Sequence, residues 1–279
     1  MASERVTKND TLVYDVGMDT GQDTAHYLRR GYQVVAFEAS PELVEQNHDR
    51  FRDEVNDGRL TIVHGAIVDP SSSQGDTVDF FVNDKSAWGT VVADRAALYE
   101  ERSGKDAKVI TVPRIVFADA LREHGVPYYM KTDIEGVDTV CLEGLREIDT
   151  RPAYVSLESD VDSFEKVRDE LALLRELGYK SFQVINQKDI ERDAIHPDYE
   201  YEYGASGEFG PWLPRDEWMS EAQTERRYRE LFLWYKLFSY NGVLRNTPLQ
   251  KPLTKALSVV RGSTIPSWHD THARHEDVK

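Results

Sequence analysis

Cysteine is almost missing from this chain. Cys141 is the only one in 279 residues, which excludes an intrachain disulfide framework and suits a reducing compartment. Positive charge is also scarce: 34 Lys and Arg stand against 50 Asp and Glu, a formal net charge of -16. Nucleic acid and anionic membrane surfaces are bound through clustered Lys and Arg, so this balance argues against both partners. Its secure consequence is solubility. No apolar run approaches the roughly 18 residues of a membrane span. The opening MASERVTKND is polar and has no apolar segment of the kind that begins a secretory signal. The expectation is a soluble cytoplasmic protein without membrane insertion, with oligomerisation left open. Internal repeats and an interdomain linker are missing too. The remaining composition, 40% hydrophobic and 10% aromatic, supports a sizeable core.

The most informative segment is Thr11 to Leu43. The apolar run Leu12-Val13-Tyr14 leads into Asp15-Val16-Gly17, and a turn with Gly17 and Gly21 follows. Gln22 to Arg30 has helical character, Gly31 breaks it, and Gln33 to Phe37 forms a second strand ending at Glu38. In an open α/β sheet, ligands bind outside the carboxyl ends of the strands. Glycines there let the backbone approach the ligand, and an acid about 20 positions on accepts ribose hydroxyls.

Further along, Ser40 and Pro41 open a helix reaching Val55, and Leu60 to His64 forms a third strand ending at Gly65-Ala66. Thr77 to Val82 and Gly89 to Val92 read as β segments around a polar loop that holds Ser86 and Trp88; Val109 to Val112 is a further short strand. Phe117 to His124 is a helix, and Tyr128 to Thr132 is the fourth parallel strand, followed by Asp133-Ile134-Glu135-Gly136. A helix around Thr139 to Glu147 carries Cys141 as a small core residue. A fifth strand, Ala153 to Leu157, ends at Glu158; a long amphipathic helix and a sixth strand, Lys180 to Asn186, follow. Strands alternating with helices imply a parallel sheet covered on both faces. After Ile190 the chain is rich in aromatics, mainly helical over Arg215 to Tyr240, and aperiodic from Arg245. We expect a core over 1–190 and an aromatic-rich lid or extension over 191–279 on the same domain.

Asp19 occupies the second-glycine position of the dinucleotide fingerprint G-x-G-x-x-G. A carboxylate there repels a pyrophosphate. Acids in the turn suit instead a cofactor with a sulfonium and an ammonium group, S-adenosylmethionine. The expected cofactor residues are Asp15, Gly17, Met18, Asp19, Gly21, Asp23, Thr24, Glu38, Ala39, Ser40, Gly65, Ala66 and Asp133. Glu38 is the ribose partner; Ala39, Ser40, Gly65 and Ala66 flank the adenine. Helix capping is the ordinary role for Asp23 and Thr24, and for Asp138. Asp133 and Glu135 follow the fourth strand, whose end borders the cofactor cleft, and are the catalytic candidates, since a carboxylate placed there can take a proton. Ser86, Trp88 and Glu158 are candidates for contact with the acceptor. His269, His272 and His275 invite a metal reading, because spacing of three puts two on one helical face; a carboxylate or Cys usually completes such a site, and no metal is assigned. A nicotinamide-dependent oxidoreductase and a non-catalytic binding protein are the competing readings. Asp19 and the lack of a Tyr-x-x-x-Lys pair speak against the former.

Asp15-Val16-Gly17, Val35-Ala36-Phe37-Glu38 and Lys131-Thr132-Asp133-Ile134-Glu135-Gly136-Val137-Asp138 together resemble the FkbM-type family of S-adenosylmethionine-dependent methyltransferases. Its pattern is roughly K-x-D-x-E-G-x-E, then a helix with V-L-x-G; here Val140-Cys141-Leu142-Glu143-Gly144 follows. The likeness runs over about 11–186. Met18-Asp19 replaces the family's frequent Ala-Asn, and Asp138 its last Glu. The resemblance implies a Rossmann-like class I methyltransferase fold, a seven-stranded and mostly parallel sheet with one antiparallel strand and helices on both faces. It also implies O-methylation of a small-molecule or sugar hydroxyl.

Overall fold

The computed structural model describes residues 6–71, 75–83, 88–159, 163–192, 195–196, 199–200, 202, 204–238, 242–245, 247–264 and 267–278. Two compact units divide the chain, Met1–Val155 and Ser156–Lys279. The first contains β1 (Lys8–Val16), α1 (Gln22–Arg29), β2 (Gln33–Glu38), α2 (Pro41–Arg50), α3 (Arg52–Asn56), β3 (Leu60–His64), β4 (Ala66–Ile67), β5 (Thr77–Val82), α4 (Ala93–Ser103), β6 (Lys108–Ile115), α5 (Phe117–His124), β7 (Val126–Thr132) and α6 (Asp138–Leu145). Next come β8 (Tyr154–Glu158), in which the division falls, α7 (Phe164–Glu176), β9 (Tyr179–Asn186), α8 (Gln187–Arg192), β10 (Ile195–His196), β11 (Tyr199–Glu200), α9 (Glu221–Phe238), α10 (Gln250–Arg261) and β12 (His269–His275).

The main sheet has seven strands in the order β3-β2-β1-β7-β8-β12-β9. Parallel pairing joins β1 to β2 and to β7, and β2 to β3, whereas β12 runs antiparallel to β9. This is the seven-stranded, mostly parallel sheet with one antiparallel strand that the resemblance implies. The strand order reverses between β1 and β7, the switch point where α/β sheets open a ligand crevice.

Leu12 to Val16 are all buried, as expected of a central parallel strand covered on both faces. Tyr14 meets Phe37 and Phe117 edge-on, at centroid distances of 5.4 and 6.1 Å. Each such ring stabilises the fold by about 1.5–3 kcal/mol through burial. The Tyr14 hydroxyl donates to the Gly125 carbonyl at 2.7 Å, so the buried ring leaves no orphaned polar tip. Gly31, at φ +86°, ends α1, and Ser40 caps α2 by accepting from the Leu43 amide. Cys141 is fully buried on α6, the small core residue the sequence suggests.

Three differences from the sequence reading matter. Gly89 to Val92 is not a strand: within it only Thr90 makes a β-bridge, to Phe81. The segment after it, Ala93–Ser103, is helix α4, ended by Gly104 in the left-handed conformation. Finally, the aperiodic tail supplies a sheet strand, β12, whose alternation is masked because both of its faces are covered and five consecutive residues are buried.

Candidate functional site

The carboxyl ends of β1, β2 and β7 share one edge, since Val16 is level with both Phe37 and Thr132. Immediately beyond that edge lies the glycine turn. The Gly17 and Met18 amides both donate to the Phe37 carbonyl, at 3.1 and 3.0 Å. Gly17 has φ +90°, and a Cβ there would lie 1.9 Å from the Asp133 carbonyl oxygen, so the turn is pressed onto the end of β7. Asp19 is left-handed at φ +47°. Its amide donates to Glu38 Oε2 at 2.9 Å, and its carbonyl accepts from Asn47 Nδ2 at 2.6 Å.

Glu38 is buried, and its Oε1 accepts from the Ser40 amide at 2.8 Å. Burial raises its pKa to about 7, although the Ser40 and Asp19 amides pull the other way. The Ala39 amide adds a weaker pull in the same direction, and a carboxylate's roughly four acceptor sites are not exhausted by these amides. Ser40 is buried beside it and Ala39 is half-buried. Gly65 donates its amide to the Glu38 carbonyl at 2.9 Å, and a Cβ there would lie 2.7 Å from the Pro113 carbonyl. Ala66, which follows, is buried. Glu38, the glycine turn and Gly65-Ala66 are thereby held around one edge.

A second cluster lies under the turn. Lys131 is buried, with Nζ 2.7 Å from Asp23 Oδ2 and 3.3 Å from Asp133 Oδ2. Burial alone would lower its pKa, but Asp23, Asp133 and Asp15 outweigh that and hold it charged. Asp15 accepts from the Thr24 hydroxyl at 2.6 Å; its Oδ1 is buried with no hydrogen-bond partner among the described residues. Burial pushes the Asp15 carboxyl up, against the pull of Lys131. Asp23 and Thr24 therefore do not act as caps: Gly21 holds the cap position, with no side-chain bond, and the two residues face inward. Asp133 is the open member, its side chain 40% exposed.

The turn between β7 and α6 positions Glu135 at φ +50°. Its Oε2 accepts from Arg95 Nη2 at 3.3 Å and from the Tyr99 hydroxyl. Burial raises its pKa, with the Asp133 charge second, while Tyr99 and Arg95 counteract. Asp138 accepts from the Ile134 and Gly136 amides at 3.0 and 3.3 Å, so it closes this turn from within the first turn of α6 rather than capping the helix. Trp88 stacks on Tyr99 at 5.0 Å and 18°. Arg95 and Tyr99 were missed from sequence because α4 was missed. Its signal was legible in Ala93-Asp94-Arg95-Ala96-Ala97-Leu98 and the terminating Gly104. Ser86 lies outside the described residues. Glu158 ends β8 in the second unit and is half-buried.

In that second unit the three tail histidines lie on a strand, not a helix. Side chains alternate along β12, so His272 faces opposite to His269, and the expected shared helical face does not form. His269 Nδ1 pairs with the Tyr235 hydroxyl at 2.6 Å, and burial, then Arg227, lowers its pKa to about 4. His275 stands edge-on to Tyr179 at 5.3 Å.

Comparison with known proteins adds a family. The model of the methyltransferase FkbM domain matches residues 15–181. No curated protein matches the chain in sequence. Among solved structures, a methyltransferase FkbM from Methylobacillus flagellatus KT is similar at 15% identity over 64% of this chain and 40% of that one, with a TM-score of 0.41. Methyltransferases from Geobacter sulfurreducens and Thiobacillus denitrificans, both S-adenosylmethionine-dependent and in complex with S-adenosylhomocysteine, are similar at 14% and 12% identity. They cover 95% and 97% of this chain and 84% and 87% of theirs, each with a TM-score of 0.36.

Proposed function

The chain belongs to the FkbM methyltransferase family, with S-adenosylmethionine as cofactor, and on that premise we propose that it methylates a hydroxyl on a small molecule or sugar. The observation that carries the hydroxyl reading is Glu135: a half-buried carboxylate with a raised pKa, fixed by Arg95 and Tyr99, two residues from the half-open Asp133. A base with a pKa nearer the working pH is suited to accept an alcohol proton as the bond to carbon forms.

The residues fit the cofactor. Glu38 would accept from the ribose with the acceptor capacity its backbone amides leave. The buried Asp15 oxygen, without a hydrogen-bond partner among the described residues, and the half-open Asp133 carboxylate suit a cationic ligand beside the glycine turn. When bound, S-adenosylmethionine supplies an electrophilic methyl group on a positively charged sulfur. The chain's own part is to hold the acceptor in line with that carbon and to receive its proton at Glu135. Lys131 keeps Asp23 and Asp133 from repelling one another. The hydride-transfer reading is disfavoured by family membership. The test is product mass: candidate sugars and alcohols incubated with labelled donor should gain one methyl group. With Asp133→Asn and Glu135→Gln, turnover should fall about 10²–10⁴-fold. Full turnover in both variants would remove these carboxylates from the chemistry.

A further inference from the structure

The net charge of -16 conceals a segregated region. From Leu231 to His269 there is no Asp or Glu, while Lys236, Arg245, Lys251, Lys255 and Arg261 fall there. The rest of the chain is therefore even more acidic than the total. Exposed apolar side chains concentrate in the same stretch. Of the ten large exposed hydrophobics among the described residues, seven lie between Leu233 and Val260.

Helix α10 carries the centre of this surface, and its amphipathicity is inverted. At 100° per residue, Leu249, Leu253, Ala256 and Val260 form one stripe, with Val259 at its margin. Those positions are exposed: Leu249 60%, Val259 76% and Val260 81%. The partly covered positions are Gln250, Thr254, Leu257, Ser258 and Arg261, four of them polar. No residue of α10 is buried. Arg261 ties its end to α9, lying over the Trp234 ring at 5.2 Å and 3.9 Å from Glu230. Lys255 and Lys251 are both exposed and lie on one side of the apolar stripe, Lys255 next to Val259 and Lys251 further round the helix.

We infer that α10 and the neighbouring end of α9 form a docking face for an anionic lipid bilayer surface. A basic amphipathic helix with an apolar outer face lies in the interface plane, its apolar side chains among the acyl chains and its Lys residues at the headgroups. No described helix is long and apolar enough to cross a membrane, so the mode is surface contact. Charge selects this occupant over a second copy. A twofold contact through the exposed side of α10 would enclose Lys255, beside Val259, with no acid in the stretch to pair with it. The unfavourable balance of the whole chain does not decide the matter, because charges beyond a Debye length of about 8 Å are largely screened in physiological salt.

The test is sedimentation of the full chain with vesicles of phosphatidylcholine alone, or of equal parts phosphatidylcholine and phosphatidylglycerol. Binding is expected to the mixed vesicles only, and to weaken as salt rises. Leu253→Asp and Val260→Asp should each weaken it at least tenfold while leaving melting temperature and S-adenosylhomocysteine affinity unchanged. Failure to bind the mixed vesicles, or equal binding to both kinds, overturns the inference. A dimer in analytical ultracentrifugation that either substitution dissolves also overturns it, in favour of a second copy on this face.

Discussion

Replacing Glu38 by Gln tests the cofactor assignment through both pH and affinity. The wild-type carboxyl is raised from its ordinary value of 4.5 to about 7, chiefly by burial. Between those values the unfolded chain has already lost the proton that the folded chain retains. Free-protein stability therefore declines as pH rises through this window, by about 3 kcal/mol in all. Gln at this position cannot titrate, so its unfolding free energy should lack that slope. It also presents an amide N–H towards a backbone donor now served by carboxylate, either Asp19 or Ser40, which costs about 1–2 kcal/mol at every pH. Ligand binding runs in the opposite direction. Ribose hydroxyls favour the ionised acceptor, so affinity for S-adenosylhomocysteine should rise about tenfold from pH 6 to pH 8, with proton release. In the variant that rise should be lost, and affinity at pH 8 should drop by about 2 kcal/mol, roughly thirtyfold. Isothermal titration calorimetry in buffers of different ionisation enthalpy reads affinity and proton release together; urea unfolding at several pH values reads stability. If the variant keeps the wild-type affinity and pH profile, Glu38 does not hold the ribose.

Gly17→Ala should destabilise the fold by more than about 3 kcal/mol, because the new Cβ meets a backbone oxygen at 1.9 Å with φ at +90°; denaturant unfolding measures it, and a loss below about 1 kcal/mol would contradict the turn geometry. Lys131→Met removes the Lys131 ion pair from buried Asp23 and should cost about 3–5 kcal/mol. The loss should be larger at pH 8 than at pH 5, since protonation relieves a stranded carboxylate; equal losses at both pH values would count against that account.

Much of the first unit was legible in the residues. The glycine turn, the acid ending β2, and Asp133 and Glu135 after β7 follow from local rules: apolar runs make buried strands, positive φ favours glycine, and parallel strands put their carboxyl ends together. Glu38 and Asp133 could be named because one ends a strand and the other directly follows one. Asp23 and Thr24 could be placed near the ligand edge, but not turned inward: that depended on Lys131 and Asp15 lying across from them on β7 and β1. Arg95, Tyr99 and Trp88 belong with Glu135 only because α4 folds back across some 40 residues of sequence, a distance over which periodicity carries no information. The tail histidines show the same limit in reverse: their spacing suits a helix, but pairing with β9 imposes the two-residue period and turns His272 away from His269. Sequence alone determined the residue types at the sheet edge, since backbone conformation and charge are local properties. Only tertiary structure decided which carboxylates are buried, which cation neutralises them and which apolar helix face is left outside, because each depends on neighbours brought from elsewhere in the chain.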